Sequence, residues 1–136
     1  MESINYPYRI NIENTKVRKF WEELENNKIM TTKCKDCNTM HWPPRSFCNN
    51  CYSSNIDWTE LPNTGTLLTF TNVTAPAVGF PEAGYYLAIV RLAASKLQVF
   101  GQIQKNNSEI KQGAKVHLQI EEDNNKYKYF KIVLDN

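Results

Sequence analysis

Four cysteines fall within eighteen residues, in the run "CKDCNTMHWPPRSFCNNC" from Cys34 to Cys51. They form two C-x-x-C pairs, Cys34/Cys37 and Cys48/Cys51, separated by ten residues. Each pair can present two thiolates to one ion, and a tetrahedral zinc takes four at about 2.3 Å. The spacing therefore points to a structural zinc held by Cys34, Cys37, Cys48 and Cys51. Redox-active pairs, two disulfides, or iron in the same cage are the other chemistries this pattern serves. Four sulfurs close the coordination shell and leave no position for a reactive water, which argues against metal catalysis. His41, between the pairs, would be a fifth ligand and reads as a turn or surface histidine.

The elements around this cluster must hold it. The segment 31–60 is polar and punctuated by Pro43-Pro44 and Ser53-Ser54-Asn55, and so short a unit usually needs a metal, disulfides or a partner to fold. Zinc binding would supply that folding free energy. Residues 1–30 read as an N-terminal helical segment. Val17, Phe20, Trp21 and Leu24 fall at helical spacing after a cap at Thr15 or Asn14, while Pro7 excludes a helix in "INYPYRI".

Residues 61–136 read as five short strands: 65–74, 85–93, 97–103, 115–121 and 127–134. The strand "YYLAIVRLA" is apolar on both faces, as a buried strand is. Gly101 inside a strand suggests a bulge or bend. In "KVHLQIE", Val116, Leu118 and Ile120 alternate inward, and His117 falls on the outer phase. Five strands fit a closed barrel of the OB type, with an SH3-like barrel as the rival. The fold class is thus mainly β, with three parts: helical segment 1–30, cysteine ribbon 31–60 and barrel 61–136.

Composition narrows the function classes. The chain has 136 residues and a net charge of +2, with 16 basic against 14 acidic side chains. That balance does not demand nucleic acid or an anionic membrane. The start lacks an apolar signal core, and the uncharged stretch 61–81 is broken by Pro62, Pro76 and Pro81, so it is no lipid-facing helix. The reading is a cytoplasmic protein, where clustered cysteines favour metal over disulfides.

The helix, the C-x2-C…"PPR"…C-x2-C ribbon, and the barrel opening after "GTLLTFT" together resemble the DUF35 family. The motifs that carry the likeness are "FWEELENNKIMTTKCKDCNTMHWPPRSFCNNC", "LPNTGTLLTFTNV" after Trp58, "YYLAIVRL" and "IKQGAKVHLQIEE". The resemblance implies a rubredoxin-like zinc ribbon followed by an OB fold. It also implies a protein that is not itself an enzyme. Such a protein serves as an acyl-CoA-binding or scaffold subunit beside a thiolase, an HMG-CoA synthase-like enzyme or an enoyl-CoA hydratase-like enzyme. By position the four cysteines carry over as zinc ligands, and Arg45 as the arginine after the two prolines. Asn38 and Asn49 replace the family's usual glycine and proline beside the cysteines, and Asn tolerates left-handed turns.

An acyl-CoA ligand asks for cations to meet its phosphates, a flat apolar surface for adenine and a narrow apolar slot. The candidates are Arg45 on its stiff Pro-Pro turn, Trp42 beside it, Phe80 in the apolar loop 74–85, and Arg91. An arginine buried in an apolar strand needs an ion partner or an anionic ligand. No nucleophile–base pair is visible for an independent enzyme. The competing reading is a single-stranded nucleic-acid-binding protein, with Phe70, Tyr85, Tyr86, Phe100, Tyr127 and Tyr129 as stacking surfaces. Glu121, Glu122 and Asp123 beside Lys126 and Lys128 weigh against it.

Overall fold

The computed structural model describes residues 11–76, 84–104, 109–123 and 126–135. A 3-10 turn at Ile12–Asn14 precedes helix α1, Arg18–Glu25. Strands β1, Met30–Cys34, and β2, Ile56–Glu60, pair antiparallel from Met30↔Glu60 to Cys34↔Ile56. Five further strands follow: β3 Thr64–Val73, β4 Tyr85–Leu92, β5 Gln98–Gln104, β6 Lys115–Glu122 and β7 Lys128–Leu134. They close a barrel in the order β3-β4-β5-β7-β6, with β5 and β7 parallel and the other pairs antiparallel. This is the OB arrangement, in which closure removes the sheet edges.

Alternation along the strands fills the barrel. Leu67, Val90, Val99, Val116 and Ile132 are wholly buried, and Leu92, Leu118 and Leu134 nearly so. The bend that closes the barrel lies in β3, where the register with β4 shifts between Leu67 and Thr69. The sequence pointed to Gly101 for this role. The β4–β5 ladder runs unbroken past it, from Tyr86↔Ile103 to Arg91↔Gln98. A Cβ at Gly101 would lie 3.4 Å from the ring of Phe130, close to ordinary van der Waals contact, so the barrel does not require glycine there. Gly65 has a stricter reason. A Cβ there would lie 2.4 Å from the carbonyl oxygen of Arg91, so only glycine allows β3 and β4 to approach.

The helix begins one turn later than its cap signals suggest. Thr15 Oγ1 accepts from the Val17 amide at 3.3 Å, and Val17 occupies the N-cap position without a side-chain bond. Eight residues are too few for a stable isolated helix. Its apolar stripe is therefore committed to packing. Leu24 is buried, Phe20 and Trp21 are half-buried, and the helix lies against β1 and β7. Lys128 on β7 donates from Nζ to the Glu25 carbonyl and to Asn27 Oδ1, both at 3.2 Å. A cation at a helix C-terminus also complements the helix dipole.

Ribbon and barrel share one core. Leu24, Ile29 and Leu61 belong to the same buried cluster as the barrel residues. The Leu61 amide donates to the Ile29 carbonyl at 2.8 Å, and the Leu118 amide to the Asn63 carbonyl at 2.7 Å. These bonds run the β1–β2 pairing directly into the barrel wall.

Candidate metal centre and its supporting ribbon

Each C-x-x-C folds into the same turn. In the first, the Asn38 amide donates to the Cys34 carbonyl at 3.0 Å, and the Cys34 amide to the Thr39 carbonyl at 2.9 Å. In the second, the Tyr52 amide donates to the Cys48 carbonyl at 3.0 Å, and the Cys48 amide to the Ser53 carbonyl at 2.8 Å. The residue after the second cysteine of each pair is left-handed, with φ 61° at Asn38 and 62° at Tyr52. Asn suits that conformation; an aromatic residue is strained in it.

The two turns bring all four sulfurs within 4.8 Å of one another. Cys34 Sγ lies 3.6 Å from Cys51 Sγ, and Cys37 Sγ 3.5 Å from Cys48 Sγ. Sulfurs on a tetrahedron of 2.3 Å bonds stand about 3.8 Å apart, whereas a disulfide needs about 2.05 Å. The cage therefore fits one zinc and excludes disulfides in this arrangement. Bound zinc would cross-link the two turns and supply folding free energy, with no vacant position for chemistry.

The sulfurs are not equivalent: the Ser53 backbone bond lowers the Cys51 thiol, but burial and hydrogen bonding from the other three cysteines outweigh it and push that thiol up to about 12. Hydrogen bonding from the Thr39 hydroxyl, 3.1 Å from Cys37 Sγ, and from the Asn50 side chain lowers the Cys37 thiol to about 5. The Asn50 amide also donates to Cys48 Sγ at 3.4 Å. Between the turns, the Asp36 carboxylate accepts from the Ser53 hydroxyl and from Asn55 Nδ2.

Behind the cage lies a network that the sequence did not reveal. Thr31, Thr32 and His41 are all buried. His41 is therefore no surface residue, contrary to its expected place. Its backbone amide donates to the Thr32 carbonyl at 2.9 Å, and the Thr31 hydroxyl donates to its carbonyl. Thr32 Oγ1 accepts from the Arg45 amide at 2.9 Å and lies 2.9 Å from His41 Nδ1. Burial, and then the neighbouring Arg45 guanidinium, hold the imidazole below its ordinary pKa. The network fixes the 41–45 turn, which carries a cis Trp42–Pro43 bond.

Residues 21–57 match the family model described as ChsH2, rubredoxin-like zinc ribbon domain. Residues 58–121 match that of the ChsH2 C-terminal OB-fold domain. A DUF35 domain-containing scaffold protein of Pyrococcus furiosus is 28% identical over 104 residues, 75% of this chain and 76% of that one. The solved Ltp2-ChsH2(DUF35) aldolase superposes with a TM-score of 0.73 at 20% identity, covering 85% of this chain and 91% of that one. The chain belongs to the DUF35 family. A DUF35 protein of unknown function from Sulfolobus solfataricus shares the fold at a TM-score of 0.60 and 22% identity, over 86% of this chain and 83% of that one.

The other residues singled out in the sequence fall in separate places. Trp42 is half-buried where ribbon, helix and barrel meet. Its ring centroid lies 5.9 Å from Phe20 and 5.7 Å from Phe130, both at 69°. Arg45 follows in the same turn, half-buried, and among the described residues its guanidinium has no ion pair. Arg91 does not meet the expectation of a buried arginine. It is exposed on the outer face of β4, because the alternating partners Val90 and Leu92 take the inward positions. Phe80 and most of the 74–85 loop lie outside the described residues. His117 sits on the outer phase of β6 as expected, paired with Asp135. No described helix is long and apolar enough to cross a membrane.

Proposed function

We propose that this DUF35 chain is a non-catalytic scaffold subunit that docks an acyl-CoA enzyme and holds acyl-CoA for it. The observation that carries the reading is the closed cysteine cage welded to the barrel core in a family whose Pyrococcus furiosus relative is described as a scaffold protein. The cage spends its metal on rigidity. Among the described residues the four cysteines are the only group of three or more His, Cys, Asp or Glu side chains able to share a metal. The pairing in a solved aldolase of a ChsH2 DUF35 chain with Ltp2 supports an enzyme as the kind of partner. For this chain the partner is a thiolase-like, HMG-CoA synthase-like or hydratase-like subunit.

Within this reading Arg45 offers its unpaired guanidinium to the phosphates of coenzyme A. Trp42 supplies the adjoining aromatic surface, and Phe80 the apolar contact for the acyl arm. The bound thioester then reaches a partner's active site without release. Tethering of this kind raises local concentration to about millimolar when linker and span match.

The test is purification from the native host, with mass spectrometry of the co-purifying chains and calorimetry of coenzyme A binding with and without them. A stoichiometric acyl-CoA enzyme, and coenzyme A affinity lowered by Arg45→Ala at unchanged zinc content, is the expected result. Bound nucleic acid and no enzyme would replace the reading with the nucleic-acid one.

A further inference from the structure

One cross-strand row on the barrel carries two cations with a hydroxyl between them. Thr66 on β3 pairs with Arg91 on β4 and with Lys115 on β6. Residues directly opposite on neighbouring strands share a face. All three are exposed, while their chain neighbours Leu67, Leu92 and Val116 are buried. With strands about 4.8 Å apart, the two cations start about 10 Å from each other at the backbone. Side chains as long as Arg and Lys can close on one small group from that separation.

Neither cation is paired within the chain. Among the described residues, Arg91 and Lys115 make no ion pair. A carboxylate is at hand, because Asp135 donates its amide to the Lys115 carbonyl at 2.9 Å and lines the same depression as both cations. That carboxylate is committed to His117 Nδ1 instead. Two like charges therefore share a depression of about 640 Å³, a volume within the range of small-molecule sites. Like charges gathered in a concave surface focus the field on whatever enters it.

The β4–β5 turn forms the rim. Ala93, Ala94 and Ser95 line the depression there. Ala94 is left-handed, with φ 55°. That conformation is costly for a residue with a Cβ, and such strain clusters at ligand clamps. The Ala93 amide donates to the Thr64 carbonyl at 2.8 Å, whereas among the described residues the Ala94 amide has no hydrogen-bond partner.

We propose that this depression binds a phosphate-type dianion, with Arg91 and Lys115 supplying the charge and Thr66 a hydroxyl between them. The chemistry favours phosphate over a carboxylate. A guanidinium fork alone fills the two oxygens of a carboxylate, while a phosphate monoester has three terminal oxygens for fork, ammonium and hydroxyl to share. Nucleic acid fits poorly, because two cations neutralise too few phosphates. The site is also distinct from the turn that carries Trp42 and Arg45. Trp42 packs on Phe130, which pairs with Ile120, and Lys115 stands about 17 Å from Ile120 along β6. The proposal therefore does not rest on the scaffold reading.

The test is a titration of the zinc-loaded full chain with inorganic phosphate at constant ionic strength, followed by amide NMR. Thermal unfolding checks that each variant is folded. The expected result is saturable shifts at Thr66, Ala94 and Lys115, with a far weaker response to acetate. Arg91→Gln and Lys115→Gln should each weaken binding at least about five-fold, and Arg91→Lys less than Arg91→Gln. Asp135→Asn should tighten binding, since it removes the one carboxylate in the depression. Coenzyme A then tells the source of the phosphate. Competition with phosphate at this row makes a coenzyme A phosphate the occupant, and no competition makes it a separate phosphate ester; both results keep the site. Shifts that do not saturate, shifts confined to the 41–45 turn, or variants that bind phosphate as the wild type does overturn it. An equal response to acetate overturns the choice of phosphate.

Discussion

Thr32 Oγ1 lies 2.9 Å from His41 Nδ1 and accepts at the same distance from the amide of Arg45. One hydroxyl thus ties the strand that ends at Cys34 to the turn that carries Trp42 and Arg45. Removing it strands a buried imidazole nitrogen and a backbone amide. An unsatisfied buried polar group costs about 1–3 kcal/mol. Thr32→Val should therefore destabilise the zinc-loaded protein by about that amount, despite its matched shape, while Thr32→Ser should recover most of the loss. Urea denaturation at fixed zinc checks this. A neutral Thr32→Val would mean that the network is not a support of the fold.

His41 gives a pH signature of the same network. Its pKa is lowered from an ordinary 6.5, by burial and then by Arg45. The unfolded chain keeps the ordinary value, so it takes up the proton first as pH falls. The contribution is fully present above 6.5 and is lost as pH drops through 6.5 toward the folded value. Nitrogen-detected NMR should show the His41 imidazole neutral at pH 6.5. A titration midpoint at or above 6.5 would contradict the buried position.

Trp42 joins three elements through edge contacts with Phe20 of α1 and Phe130 of β7. Edge-to-face pairs add about 0.5–1.5 kcal/mol beyond burial. A double-mutant cycle of Trp42→Leu and Phe130→Leu should show coupling of that size. Additive losses would mean that the Trp42–Phe130 contact adds nothing beyond the separate burial of the two rings.

Much of this was legible before the fold was known, and the reasons for the rest are specific. The cysteine spacing fixes a cage because two C-x-x-C turns leave few other geometries. The alternation of Val116, Leu118 and Ile120 fixes the inward face of β6. The exposure of Arg91 is not legible in the sequence because β4 is apolar on both faces, so period two does not say which phase faces the core. The burial of His41 is not legible either, because it depends on Thr31 and Thr32, which meet it only once β1 and the 39–41 segment are paired. The bulge lies in "LL" of β3, while Gly101, the obvious breaker, sits in an unbroken ladder.

Tyr52 occupies the left-handed position of the second knuckle with φ 62°, where Asn38 stands in the first. It is also highly exposed, so its ring contributes little packing. A left-handed conformation costs a residue with a Cβ about 1–2 kcal/mol, and glycine avoids that cost at some loss of unfolded-state entropy. Tyr52→Gly should raise the stability of the zinc-loaded protein by about 0.5–1 kcal/mol. Thermal unfolding is the readout, and a loss of stability would show that packing of the Tyr52 ring outweighs the left-handed strain.

The cage itself predicts how metal is lost. Zinc needs thiolates, so its affinity falls as the cysteines gain protons. The hydroxyl of Thr39 is the leading cause of the lowered Cys37 pKa of about 5, followed by the Asn50 side chain. Thr39→Val should raise that pKa and move acid-induced zinc release to higher pH, while leaving the apo chain's helix and barrel sequence untouched. Cys34→Ser goes further: it removes a buried ligand, abolishes tight binding and unfolds residues 34–55, because that loop has no core of its own. A colorimetric chelator titration across pH separates the two. If Thr39→Val releases zinc at the wild-type pH, the hydroxyl does not tune the site. If Cys34→Ser keeps one zinc per chain at wild-type affinity, the four-sulfur cage is wrong.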